Sequence, residues 1–146
     1  MRSWQEFARQ VPEFAEFGKA RFQSEVAYLG TLRADGGPRV HPVTPIIGEQ
    51  LFLFMEPTSP KGKDLLRDPR YTLHCSVEDS SGGNGEFYVR GHGALTNDPL
   101  LREQAVLVSS YVPADRYILY TFTIEFAFMN IYMGGKSHVE RWKSSK

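Results

Sequence analysis

The sequence is poor in cysteine, carries no net charge and has no long hydrophobic run. The single cysteine, Cys75, excludes an internal disulfide and a cysteine-cluster metal site, and we predict a buried, inert thiol in a reducing cytoplasm. Lysine plus arginine number 17 and aspartate plus glutamate number 17, so the strong positive field that attracts nucleic acids and anionic membranes is absent. No run approaches the roughly 18 apolar residues of a spanning helix, and the N-terminal residues lack a secretory signal pattern. We therefore expect a cytoplasmic protein without a nucleic-acid or membrane partner.

The composition is typical of one globular domain. Hydrophobic residues make up 41% and aromatic residues 13% of the 146 residues, which is enough for a single core. No repeat or linker divides the chain, so we predict one domain over residues 1–146. The histidines lack the close spacing of metal ligands, and no metal site is predicted. They are His41, His74, His92 and His138.

Strand patterns dominate the chain after a helical start. Ser3 and Glu6 form the sequence signature of a capping box, and Pro12 is placed to open a second short helix. Further helices are predicted at 61–67 and from Asn97 to about Ser109, with a loop at 79–85. Strands are predicted at 26–32, 38–47, 51–55, 71–77, 87–95 and 118–133. The pattern predicts a mainly β protein, an antiparallel six-stranded barrel with an N-terminal helix and a helix before the last long strand.

A basic helix start follows the third predicted strand. Ser59 is suited to the N-cap and Pro60 to the first helical position. Lys61 and Lys63 then fall in the first turn, where the helix dipole disfavours cations. A bound anion would explain them, because hydroxyl, ammonium and backbone N–H groups would converge on it. Alternatively, both lysines point into solvent and Asp64 screens their charge.

The second predicted strand combines prolines with an arginine and a histidine. Pro42 and Pro45 remove two ladder donors, so one edge of this strand is not fully paired. Such an edge offers backbone groups and apolar surface to a flat heteroaromatic ring. The alternative is an ordinary strand with exposed Arg39 and His41.

Two segments together resemble a known family. They are Tyr-Leu-Gly-Thr-Leu-Arg-Ala-Asp-Gly-Gly-Pro-Arg-Val-His-Pro-Val at 28–43 and Ser-Pro-Lys-Gly-Lys-Asp-Leu-Leu-Arg-Asp-Pro-Arg at 59–70. In order and spacing they are similar to the pyridoxamine 5'-phosphate oxidase-like family of flavin-binding split barrels. The resemblance covers residues 4–96 well and the last quarter loosely.

The resemblance implies a six-stranded split β-barrel that forms a homodimer, with FMN in a groove between the subunits. The residues that would line the flavin ring, largely through backbone, are Arg39, Val40, His41 and Pro42. The residues that would lie near the cofactor at the end of the third strand are Phe54 and Met55. The residues that would hold the phosphate are Ser59 and Lys61, helped by Thr58 and Lys63.

The resemblance also implies contacts from later strands. The strand beginning at Glu86 would come near the flavin, although the family's oxidases have a glutamine where this chain has Glu86. Arg141 and Trp142 resemble the family's C-terminal arginine and tryptophan, which reach the partner's cofactor, but the spacing in this tail differs.

The implied function is an FMN-dependent oxidoreductase that transfers hydride between the flavin and an unidentified small molecule. No catalytic side chain is predicted, because a flavin carries its own redox chemistry and the protein supplies binding and local charge. One alternative is a deazaflavin-dependent reductase, whose cofactor tail would use the same lysines. Another is a non-catalytic flavin- or haem-binding protein, with His41 or His138 as the axial ligand of a haem.

Overall fold

The structure, a computed structural model, describes residues 1–80 and 83–145, so Ser81 and Gly82 of the predicted 79–85 loop lie outside it. The helices are α1 (Trp4–Gln10), α2 (Pro12–Ser24), α3 (Pro60–Arg67) and α4 (Pro99–Val108). The strands are β1 (Ala27–Leu32), β2 (Pro38–Val43), β3 (Ile46–Ile47), β4 (Leu51–Met55), β5 (Arg70–Cys75), β6 (Glu86–Thr96), β7 (Ile118–Met133) and β8 (Lys136–Lys143).

The first two helices begin as their sequences predict. The Glu6 amide donates to the Ser3 hydroxyl at 3.2 Å, and the Ser3 amide donates to the Glu6 carboxylate at 3.1 Å, which completes the capping box. Pro12 opens α2 at a position where no amide donor is needed. Within the described residues, no helix has both the length and the apolar character required to cross a bilayer.

The strands form one antiparallel sheet in the order β2-β1-β5-β6-β7-β4-β3, and β8 pairs with β7. β7 is long enough to pair with β6 along its length, with β4 near its start and with β8 near its end. β6 bulges between Arg90 and Gly91. A Cβ at Gly91 would lie 2.1 Å from the Thr123 carbonyl oxygen, so the sheet bends where only glycine fits.

The prediction of a mainly β, antiparallel fold is confirmed, but the strand number is eight among the described residues instead of six. The predicted 38–47 strand divides at Thr44 and Pro45, since proline cannot donate to a ladder. The predicted tail is a further strand, β8, which reverses from β7 through Gly134 and Gly135. Both glycines have positive φ, at 59° and 75°, as a tight hairpin turn requires.

Aromatic rings fix the helices on the inner side of the sheet. Phe87 of β6 is fully buried, and Phe22 and Phe14 of α2 pack against it with ring centroids 5.0 and 5.9 Å away. A second cluster lies beneath α4 and includes Phe52 and Phe54 of β4. Cys75 is buried as predicted. The core therefore leaves the outer face of the sheet and the ends of β2 and β4 open.

Candidate functional site

The start of α3 is held against the end of β4. Ser59 occupies the N-cap position and Pro60 the first helical turn. A Cβ at Gly62 would lie 2.9 Å from the Met55 sulfur, and the Tyr120 hydroxyl donates to the Gly62 carbonyl at 2.8 Å. Glycine at position 62 therefore lets the helix approach the sheet closely.

Lys61 is a half-buried ammonium at this helix start. Its Nζ donates to the Ser59 hydroxyl at 2.9 Å, so that hydroxyl does not cap the helix. In the part of the chain that the structure describes, no carboxylate lies within ion-pair distance of Lys61. Burial lowers the pKa of Lys61 because desolvation disfavours the charged form. The corner thus presents a cation and uncapped amides that lack an anionic partner, whereas Lys63 is exposed.

Asp64 holds the neighbouring strand in place. Its buried carboxylate accepts from the Thr31 hydroxyl at 2.8 Å and from Arg39 Nε at 2.7 Å, and lies 3.5 Å from Arg67. Burial by itself raises the pKa of Asp64, but the hydrogen bonds from Arg39 and Thr31 leave it below its ordinary value. The alternative in which Asp64 screens the two lysines does not match its ion pairs, which are with Arg39 and Arg67.

His41 lies within the field of both site cations. Burial lowers its pKa first, and the charges of Lys61 and Arg39 lower it further, although Asp64 opposes them. These effects favour the neutral imidazole. The ion pair between Arg39 of β2 and Asp64 of α3 places the two elements at a common corner.

A cavity of about 420 Å³ opens beside this corner, between the ends of β2 and β4 and the chain after α4. Its lining residues are Pro42, Val43, Thr44, Leu53, Phe54, Met55, Glu56, Lys61, Tyr111 and Tyr117. Glu56 is paired with Arg116 at 2.5 Å and so does not neutralise Lys61. A wall of mixed polar and apolar surface, with a lysine that has no carboxylate partner, suits a small ligand that carries an anionic group.

The comparisons with known proteins rest on structure alone. No family model and no curated protein matches the chain. A haem-binding protein from Mycobacterium smegmatis is 16% identical with a TM-score of 0.66, and the match covers 87% of this chain and 57% of that one. A NimC/NimA family protein from Clostridium acetobutylicum is 16% identical with a TM-score of 0.66, covering 89% and 94%. A candidate pyridoxamine 5'-phosphate oxidase from Listeria innocua is 13% identical with a TM-score of 0.63, covering 80% and 97%.

The chain has the pyridoxamine 5'-phosphate oxidase-like split-barrel fold. At these identities the likeness concerns the fold. The match spans 57% of the length of the haem-binding neighbour.

Many of the predicted site residues of this split barrel lie together. Those that line the cavity are Pro42, Phe54, Met55 and Lys61. Ser59 contacts Lys61, and Arg39 and His41 approach from β2. Val40 is 65% exposed on the outer face of β2. Thr58 and Lys63 are exposed on either side of Ser59.

The later predicted residues do not join this group within one chain. Glu86 pairs in register with Asn130, whereas Met55 beside the cavity pairs with Ile118 near the other end of β7. Arg141 is exposed and lies over the Phe128 ring at 5.6 Å.

Trp142 belongs to the interior of its own protomer. It is 8% exposed, packs on Phe7 with ring centroids 4.9 Å apart and donates from Nε1 to Gln10 at 3.0 Å. The indole therefore ties β8 to α1.

The sequence analysis missed the roles of Asp64, Tyr111 and Tyr117. Asp64 offered one usable signal, a carboxylate followed by two leucines in a helix that packs on a sheet. The tyrosines gave none, because the segment that carries them has no regular period and meets β4 only through the tertiary fold.

Proposed function

We propose that this chain binds FMN and transfers hydride between the flavin and a small molecule. The observation that carries the proposal is the half-buried Lys61 ammonium, whose partner is a hydroxyl and which lines a cavity of mixed polar and apolar surface. An unpaired cation is costly to bury, and a phosphate would supply the missing charge.

The surrounding residues fit the parts of such a ligand. Lys61, Ser59 and the uncapped amides of α3 would hold the phosphate. Pro42 and Met55 would contact the ring, beside the edge of β2 that β1 leaves unpaired. When bound, the flavin supplies the hydride chemistry.

Arg39 would stabilise negative charge on the flavin ring. Arg39 Nε donates to Asp64. Among the described residues, neither terminal nitrogen of this guanidinium has a hydrogen-bond partner. Held in this way, the guanidinium would donate to an anionic ring edge without first losing conformational freedom.

A visible-absorption titration tests this function. Purified protein should bind FMN with one flavin per chain, and the bound flavin should be reduced anaerobically by a suitable donor. A deazaflavin with a phosphate-bearing tail forms a second arm, since it would use the same corner. Binding of neither cofactor would refute the proposal, and binding without turnover would indicate storage.

Haem is a second candidate, favoured by the neutral His41 imidazole beside two cations. A neutral imidazole is the form that ligates iron, and Lys61 and Arg39 would suit haem carboxylates. One structural neighbour is a haem-binding protein. His138, the other candidate ligand, is exposed on β8, and neither histidine is among the residues that line the cavity.

Hemin titration separates the two candidates. A Soret band that is lost in His41→Ala, with no flavin binding, would replace the flavin assignment by haem. His138→Ala serves as the matched control, because this histidine is solvent-exposed.

We also propose that the site is completed in a homodimer. Residues in direct register form a row across the outer face of six strands: Pro42, Tyr28, His74, Tyr88, Phe128 and Arg141. Tyr88 stacks on Phe128 with ring centroids 5.2 Å apart, and Tyr28 is 44% exposed. A row of rings on an outer sheet face is suited to a partner surface.

Symmetry gives this dimer a testable arrangement. A two-fold axis in the interface, parallel to the strands, reverses the row and brings Arg141 of one protomer to the cavity end of the partner's row. Tyr88→Glu should yield monomers by sedimentation. Mixing Lys61→Ala chains with Arg141→Ala chains should restore one intact site per heterodimer. Restoration of none would contradict the shared site.

A further inference from the structure

A second groove lies on the helix side of the sheet, away from the cofactor cavity. Its volume is about 470 Å³, and it runs between the start of α2 and the β7–β8 hairpin. Its lining residues are Val11, Pro12, Glu13, Phe14, Phe17, Met129, Ile131 and Glu140. None of them lines the cofactor cavity, so the two spaces are independent.

The floor of this groove is apolar because of strand alternation. Met129 and Ile131 are two residues apart on β7 and share one face. Glu140 pairs with Met129, and Trp142, on the same face of β8, packs on Phe7 of α1. This face is therefore the helix side of the sheet.

Two carboxylates rim the groove from opposite walls. Glu13 belongs to α2 and Glu140 to β8, and both are exposed. Among the residues that the structure describes, neither carboxylate has a hydrogen bond or an ion pair, and no cationic side chain lines the groove. The groove thus joins an apolar floor to an unneutralised negative rim.

We propose that this groove binds a small organic cation with an apolar, aromatic body. The body would lie on Met129, Phe14 and Ile131, where burial of apolar surface stabilises it. The cationic centre would lie between Glu13 and Glu140. The Phe14 ring would add a cation–π contact. The volume of the groove is that of a small-molecule site, and the rim charge repels anions.

The test uses tetraphenylphosphonium as the probe and tetraphenylborate, of the same shape and opposite charge, as the control. Protein labelled with ¹³C in its methionine methyl groups reports both sites, because Met129 lines this groove and Met55 lines the cofactor cavity. The phosphonium should shift the Met129 resonance and leave Met55 unchanged. No shift at Met129, an equal shift with the borate, or a shift at Met55 instead would overturn the proposal.

Charge-neutral variants locate the cation. Glu13→Gln and Glu140→Gln should each weaken phosphonium binding about three- to fivefold, and the double variant about tenfold or more. Glu103→Gln, at an exposed position on α4, is the matched control and should change nothing. Unchanged affinity in the double variant refutes the site. A Met129 resonance that moves with protein concentration alone also refutes it, since a second copy would then fill the groove.

Discussion

Replacing Lys61 with alanine removes the one cation that the cavity presents without a carboxylate partner. A hydrogen bond between a charged donor and phosphate contributes about 1.5–3 kcal/mol, which corresponds to about 10- to 150-fold in Kd. The helix amides and Arg39 remain, so we expect a loss of more than tenfold and not an abolition of FMN binding. Riboflavin lacks the phosphate, and its affinity should stay nearly unchanged.

Flavin fluorescence quenching measures both affinities on the same preparations. Lys63→Ala is the matched control, because this lysine lies two residues away in the same helical turn and is exposed. Its loss should change FMN affinity by at most about threefold. Equal losses for FMN and riboflavin in Lys61→Ala, or equal effects of the two lysines, would refute the phosphate assignment.

Three further predictions concern the stability of the fold, two of them beside the site. Asp64→Ala should lower the free energy of unfolding by about 3 kcal/mol in urea, because it leaves Arg39 and Thr31 unpaired. The folded-state pKa of Asp64 is below its ordinary value. Its contribution to the free energy of unfolding is therefore present at neutral pH and is lost as pH falls below about 4. Asp64→Asn should lack that pH dependence. Gly62→Ala should cost about 1–3 kcal/mol by thermal unfolding, since the new Cβ meets the Met55 sulfur at 2.9 Å, and an unchanged Tm would contradict the close approach. Trp142→Phe should couple to Gln10→Ala by about 1 kcal/mol in a double-mutant cycle, and purely additive effects would mean that the indole hydrogen bond contributes nothing.

Local patterns were sufficient for most of the fold. The long strand predicted at 118–133 is β7, Ile118–Met133, in the structure. It was predictable because aromatic and β-branched residues occur throughout it. β8 was missed because an exposed edge strand has no apolar alternation. Of its residues Lys136–Lys143, only Trp142 is buried, so its pairing depends on β7 and the glycine turn.

The candidate site was predictable where its chemistry is local. Ser59, Pro60 and Lys61 are consecutive. Ser59 and Pro60 follow the residue preferences of a helix start, and Lys61 departs from them. The cavity itself draws on segments separated by up to 75 positions, from Pro42 to Tyr117. Sequence periodicity carries no information about such distant contacts.

The two cations of the site, Arg39 and Lys61, also differ in a way that only the structure shows. Arg39 and Lys61 look equivalent in the sequence, as basic residues beside a proline. In the fold, Asp64 pairs with Arg39 and leaves Lys61 without a counter-charge. If Asp64 paired with Lys61 instead, its carboxylate would occupy the position that we propose for the phosphate, and Arg39 would lose its link to α3. The placement of Asp64 therefore orders one cation and leaves the other for a ligand. For this reason, we expect the Asp64 and Lys61 substitutions to separate stability from phosphate affinity.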